Sequence, residues 1–315
     1  MKLEATPLAL CVITTLSSLL VSLVAAPATA QTKTNAEGAM WSASPDVSQE
    51  EEAFETPENF KLKIAGEFGL LSVLYNKIQQ GESGTYFDYV NDGGFELFNP
   101  FLRASGELQW RGRHNVILLY QPIDLRSRVR LEDDLTVDEL TFPEGKMMDL
   151  RYGFDFFRTT YHYDLSPRED LEIGVGGGFQ MRIAEIEYVP IDGSEGRVNR
   201  DLGPVPLLKF RARYDFSNKY WVGTEVDGFY ANIRIANGDR EADVTGAILD
   251  ASLRGGAKLG KGLDGFVNLR YVGGGGVGTS PSDAEEQPGD GYTKNWAHFA
   301  AISLGFYFEP MYLTN

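Results

Sequence analysis

The chain has 315 residues, with 29 Lys and Arg against 45 Asp and Glu, a formal charge of −16 and one cysteine. That acidity argues against nucleic-acid binding, where affinity comes from cations that neutralise phosphates, and one cysteine rules out a disulfide-stapled scaffold. Three histidines form no His/Cys cluster, so neither a metal nor a cofactor is expected.

The run Ala5–Ala30 carries no charge and ends in Ala28-Thr29-Ala30. It reads as a signal peptide, residues 1–30, cut before Gln31, because the small-residue triplet has no place in the rival reading, a permanent membrane helix. Its removal takes away Cys11. Residues 31–59 are polar and acidic without an apolar period, and are expected to be a flexible periplasmic segment.

From Phe60 onward, apolar and polar residues alternate with period 2, and no helical period is sustained. Ten strands are expected: Phe60–Asn76, Glu96–Arg111, His114–Arg126, Leu150–Asp164, Leu171–Ile186, Val205–Phe216, Tyr220–Ile233, Val244–Lys258, Leu263–Val272 and Asn295–Phe308. They are longer than the roughly 5 to 6 residues usual in soluble folds and match the roughly 9 to 11 that cross a bilayer. Tight links ("GRH", "LSPRED", "SNK", "LGKG") alternate with longer polar connections. This is the pattern of a closed antiparallel transmembrane β-barrel over 60–308, with short periplasmic turns and longer outer loops. Eight or twelve strands are the alternatives, and 309–315 would extend past the last strand.

The alternation assigns faces. In "LLKFRARYDF", Leu208, Phe210, Ala212 and Tyr214 share one side, and Lys209, Arg211 and Arg213 the other; in lipid the apolar side faces out. The lumen charges expected on this basis are Glu67, Glu107, Asp124, Asp155, Glu172, Glu225, Asp227, Asp250 and Asp264, against Arg103, Arg126, Arg151, Arg158, Arg182, Lys209, Arg211, Arg213, Arg254 and Arg270. Near neutrality implies a mutually paired network, because unpaired buried charge costs several kcal/mol per ion. Aromatic belts are expected from Phe60, Trp110, Tyr163, Tyr214, Tyr220, Phe306 and Phe308 at the turn end. At the loop end they are expected from Tyr75, Phe98, Tyr120, Tyr152, Tyr188, Tyr230, Tyr271 and Trp296. Pro100 and Pro122 fall near the loop-end rim, where a broken ladder is tolerated.

"LEIGVGGGFQMRIAEIEYV" (Leu171–Val189) resembles a phosphate cradle, but position 179 is Phe where a third glycine is needed, and the alternation continues without a helix. Gly174, Gly176 and Gly178 are instead expected to face the lumen and leave room for Lys209, Arg211 and Arg213. His298 is a weak catalytic candidate, with Asp290 and Ser72 as its companions, but its phase is that of the lipid-facing set. The run "YVGGGGVGTSPSD" is expected to be a flexible outer loop. Function is therefore sought as a structural or surface-binding role in the outer loops Ser127–Asp149, Val189–Pro204 and Gly273–Lys294. The alternatives are a narrow channel for small solutes or ions, and a hydrolase, acting on protein or on lipid A, with its site at the outer rim. Expected partners are outer-membrane lipid, lipopolysaccharide and, during biogenesis, the barrel assembly machinery.

The phrases "RHNVILLYQPIDL", "FRTTYHYDL", "LEIGVGGGFQMRIAEIEY", "VPLLKFRARYDFS" and "NWAHFAAISLGFYF" resemble an uncharacterised family of bacterial outer-membrane β-barrel proteins. The resemblance covers most of the chain from Phe60, implies the same fold and location, and carries over no catalytic residue.

Overall fold

The computed structural model describes residues 60–166, 168–237, 240–279 and 289–310, with 233–237 and 240–243 described by their backbone alone. The expected signal peptide, the acidic segment 31–59 and the residues from 311 on lie outside the described residues.

The described residues form thirteen strands: β1 (Phe60–Gln80), β2 (Phe87–Asp88), β3 (Asn99–Trp110), β4 (His114–Arg130), β5 (Leu135–Val137), β6 (Leu140–Phe142), β7 (Met147–Asp164), β8 (Leu171–Pro190), β9 (Arg197–Asp215), β10 (Tyr220–Asn237), β11 (Arg240–Gly260), β12 (Leu263–Thr279) and β13 (Tyr292–Phe308). The ten long ones form one antiparallel ring, closed where β13 returns to β1 from Ile64↔Phe308 to Gln80↔Thr293. Closure satisfies the backbone donors and acceptors that an open edge would leave bare in lipid. The alternation sorts the faces as expected: Leu208, Leu253, Ile302 and Leu304 are exposed on the outside, while Lys209, Arg211, Arg254 and Ser303 are buried within. At the tight end, Arg111 and Gly112 both take positive φ (49° and 69°) and Arg113 N–H bonds Trp110 O at 3.3 Å. Two central residues of positive φ make the turn whose twist suits a two-residue hairpin.

At the other end the ladder runs further than the apolar pattern. β8 continues to Pro190 and β9 begins at Arg197, so most of Val189–Pro204 is paired strand and the connection is 191–196. The pattern fails there because Glu185, Glu187 and Arg200 point outward above the apolar band, where water replaces lipid and charge pairing replaces burial; Arg200 reaches Glu185 at 2.8 Å. Gly273–Gly276 and Gly278 are likewise strand residues, paired on both sides by β11 and β13.

The connections 81–98 and 131–146 fold over the mouth. They knit together where Thr85 N–H donates to Thr136 O (2.8 Å), Thr136 N–H to Thr85 Oγ1 (2.9 Å) and Asp138 N–H to Gln80 O (2.8 Å). Their apolar residues Phe87, Tyr89, Leu131, Leu135, Val137 and Phe142 are buried in one cluster with Tyr152 and Tyr188. The stretch Ser127–Asp149 is thus strand, then a lid with an apolar underside, then strand again.

Candidate functional site

The turn half of the lumen holds an ion-pair layer. Asp250 accepts from Arg103 (3.0 Å), Arg158 (2.9 Å) and Arg270; Asp227 accepts from Arg158 (2.6 Å) and Lys209 (3.2 Å). Glu225 takes Lys209 and Arg254, and Glu107 takes Arg211 at 2.6 Å. Glu67 lies within 3.3 to 3.8 Å of Arg270, Arg254 and Arg103 and also accepts from Asn268 and Ser303. Five acids and six bases of this layer are buried, and Glu172, 3.1 Å from Arg211 and from His162, makes the layer even. Each buried charge has a partner on another strand, the condition under which such burial is tolerated.

All twelve charges of this layer are among the nineteen expected in the lumen, and the other seven stand outside it. Glu67, Arg158 and Glu172 are integral to it. Arg213 sits at its lower edge, 2.8 Å from Asp264, in a polar vestibule of about 380 Å³ at the turn end. Arg182 faces the lumen but stands above the layer, paired with Asp201. Asp155 is on the outer face, where Tyr120 O–H donates to it at 2.9 Å; Asp124, Arg126 and Arg151 also point outward. In β7 the buried phase runs through Tyr152, Phe154 and Arg158, and Asp155 is out of that phase.

The glycines of β8 have a different cause from the expected one. They do face inward beside Lys209 and Arg211 (Gly176↔Lys209, Gly174↔Arg211). A Cβ at Gly176 or Gly178, however, would strike the β7 backbone at Tyr161 or Thr159 O, and one at Gly174 would strike the His162 ring. The space they leave is occupied by the neighbouring strand.

Above the ion-pair layer and below the lid lies an apolar cavity of about 250 Å³. Tyr152, Phe154, Phe156, Ile248, Val272, Ala297 and Phe299 line it, with Gly246, Gly274 and Gly276 contributing bare backbone. Few polar groups reach it. Tyr152 O–H is already bonded to Asn295 Oδ1 (2.8 Å). Gln180, 1% exposed, accepts through Oε1 from Arg158 (2.9 and 2.6 Å), which leaves its amide Nε2 a buried donor without a partner among the described residues. The Arg182 Nε is a second such donor, its guanidinium 5.9 Å from the centre of the Phe154 ring. Alternation alone hides this cavity, because it assigns to the outer belt both Tyr152, which lines it, and Tyr188 of the cluster under the lid; both are inward and buried. Trp110, Tyr120, Tyr214, Tyr220, Tyr230, Tyr271, Trp296, Phe306 and Phe308 do lie in the outward phase.

His298 also points outward. It bonds Tyr271 O–H at 2.6 Å and its ring lies 5.5 Å from that of Tyr75. Asp290 is occupied with the Glu82 and Tyr292 amides (2.7 and 2.8 Å), and Ser72 is paired with Ala300. The three do not converge.

No family model matches the chain, and no curated protein matches it. Solved structures do. The outer membrane protease OmpT from Escherichia coli aligns over 81% of this chain and 98% of its own, with a TM-score of 0.51 at 8% identity. The transport unit of the autotransporter AIDA-I from Escherichia coli aligns over 82% and 92% (TM-score 0.37, 7% identity), and a FadL homologue from Pseudomonas aeruginosa over 80% and 90% (0.36, 7%). At such identities the likeness concerns fold: the chain has the architecture of bacterial outer-membrane β-barrels.

Proposed function

We propose that this is an outer-membrane barrel that binds a small, mainly apolar molecule carrying one hydrogen-bond acceptor in the outer half of its lumen. The observation that carries this reading is the buried, unpartnered amide Nε2 of Gln180, a residue that lines a mainly apolar cavity. An unpaired buried donor costs about 1–3 kcal/mol, which a ligand acceptor recovers. Specific small-molecule sites have this composition, apolar walls with few oriented polar groups. An apolar cavity of about 150 Å³ already admits benzene, so about 250 Å³ suits a fused aromatic or a short acyl chain. The cavity is preferred to the outer loops as the functional part because the apolar residues of the loops are committed to the lid. A through-channel is disfavoured by the ion-pair layer beneath, and a hydrolase by the outward position of His298.

The test is binding of 1-naphthol, with naphthalene as control, to the protein in phospholipid nanodiscs, read by fluorescence. Tighter binding of 1-naphthol, lost in Ala297→Phe and reduced to the naphthalene level in Gln180→Leu, is expected. Equal and unsaturable partitioning of both probes, unchanged by either substitution, sinks the proposal.

A further inference from the structure

The lid lies above the cavity and the ion-pair layer below it, and the wall beside it is not continuous. β9 and β10 pair from Trp221↔Asp215 to Gly228↔Leu208 and then part, although β9 remains paired to β8 as far as Arg197 and β10 to β11 as far as Asn237. Had the ladder continued, Pro206 would face Tyr230 and Pro204 would face Asn232.

The prolines account for the parting. The Leu207 carbonyl is turned to β8, 2.7 Å from where a Gly177 Cβ would stand, and the Ala212 carbonyl is turned to β10, 3.1 Å from a Cβ on Gly223. Successive residues of a strand address opposite neighbours. Pro204 and Pro206, in phase with Ala212, therefore present their nitrogens to β10, and neither carries a hydrogen to donate. Two consecutive donor positions are blank on that edge. A parted seam in lipid would ordinarily expose unsatisfied N–H groups at several kcal/mol each; here two of those donors do not exist.

A second seam shows what a sealed one looks like. β3 and β4 part after Ala104↔Tyr120, again with prolines, Pro100 and Pro122, beside the break. There the lid packs behind it: Tyr89, Phe101, Ile123 and Leu125 form one buried cluster, and Ser127 Oγ–H donates to Gly93 O. Behind the β9–β10 seam the cavity itself reaches the gap, lined by Val205 and Pro206 on one side and Phe229 and Ala231 on the other. The outer surface beside it is apolar, with Phe179, Met181, Leu202 and Leu208 exposed, so the gap opens at the level of the hydrocarbon.

We infer that the β9–β10 seam is a lateral passage through which the cavity exchanges its apolar ligand directly with the outer leaflet. The inference rests on the cavity being a ligand site, and the experiment separates the two. In a chain carrying Cys11→Ser, the pair Val205→Cys and Ala231→Cys is bridged across the seam with a bifunctional methanethiosulfonate reagent. A second protein carries Thr85→Cys and Thr136→Cys, oxidised to lock the lid. Release of pre-bound 1-naphthol from nanodiscs into empty phosphatidylcholine vesicles is followed by stopped-flow fluorescence. The seam-bridged protein is expected to release about tenfold more slowly or worse, recovering on reduction, whereas the lid-locked protein keeps the unmodified rate. Pro204→Val with Pro206→Val, which restores both donors, is expected to slow release without any cross-link. Slowing by the lid lock with none by the seam bridge overturns the lateral route and leaves the ligand site standing; failure of the unmodified protein to bind 1-naphthol overturns both.

Discussion

Arg158 on β7 donates to Asp250 on β11 at 2.9 Å, across the lumen from a strand four places away in the ring. Asp250 is shared by Arg103 and Arg270 as well, so its single negative charge serves three guanidinium groups. Removing it leaves cations buried without their partner, which costs about 3–5 kcal/mol when one side of a buried pair is deleted. Asp250→Ala is therefore expected to lower stability in urea unfolding from phospholipid vesicles by about that amount. The double change Arg158→Ala with Asp250→Ala is expected to cost less than the sum of the two single changes, because the two residues belong to one network.

The same layer fixes the expected conductance. Ion pairs at 2.6 to 3.3 Å span the turn half of the lumen from β1 round to β12, and passage requires several of them to part together. Planar-bilayer recordings of the refolded protein are expected to be silent. Asp250→Ala is expected to give flickering, anion-preferring openings, since it leaves the layer with an excess of arginine. Steady ohmic conductance of the unaltered protein contradicts this.

Gly176 lies where a Cβ would meet Tyr161 O and the His162 Cα. Both are backbone atoms, which do not step aside as a side-chain tip does. Gly176→Ala is expected to impair barrel formation nearly as much as Gly176→Leu, whereas a shortage of room for arginine would make alanine tolerable. The heat-modifiable electrophoretic shift of a folded barrel, measured for both variants, separates the two causes.

Alternation at Leu208 to Phe216 identifies a two-faced strand, and "GRH" against the long connections orients it, because both signals are local. Asp155 misleads because a polar residue in a barrel strand has two homes, the lumen and the water above the lipid; only the partner Tyr120 on β4 shows which one it occupies. Pro204 reads as the end of the outer loop Val189–Pro204 because the apolar alternation starts only at Val205, yet β8 holds it in register opposite Met181, two residues before Pro206 opposite Phe179. The cavity is invisible for a further reason: it is formed by what Gly246, Gly274 and Gly276 lack, and glycine runs read locally as flexibility.

The lid carries a pH-sensitive tie. Asp88 is paired with the Lys77 ammonium at 2.9 Å and caps the Val90 and Asn91 amides. Burial acts to raise its carboxyl; Lys77 and the Asn91 side chain and backbone outweigh burial and hold it below the ordinary carboxylate value. The folded value lies below the unfolded one, so the tie is fully made above about pH 4 and is lost as pH falls through the lowered value. Amide exchange at Val90 and Asn91 is expected to accelerate below that pH relative to its intrinsic rate. In Asp88→Asn, the same acceleration is expected already at neutral pH, with no further change on acidification.

Leu253 and Leu259 are both exposed on the outer face of β11, but at different depths. Tyr220 pairs with Ala257 near the turn end and Tyr230 with Ala247 near the loop end, which puts Leu253 close to the middle of the band and Leu259 beyond its lower border. An arginine costs about 2–4 kcal/mol at the bilayer midplane and about 0–1 near the interface. Leu253→Arg should therefore lose about 2–4 kcal/mol in vesicle unfolding and Leu259→Arg almost nothing. A soluble barrel would show no such difference, since both positions would then face water. Equal, small effects at the two sites would mean that the apolar exterior is not in lipid.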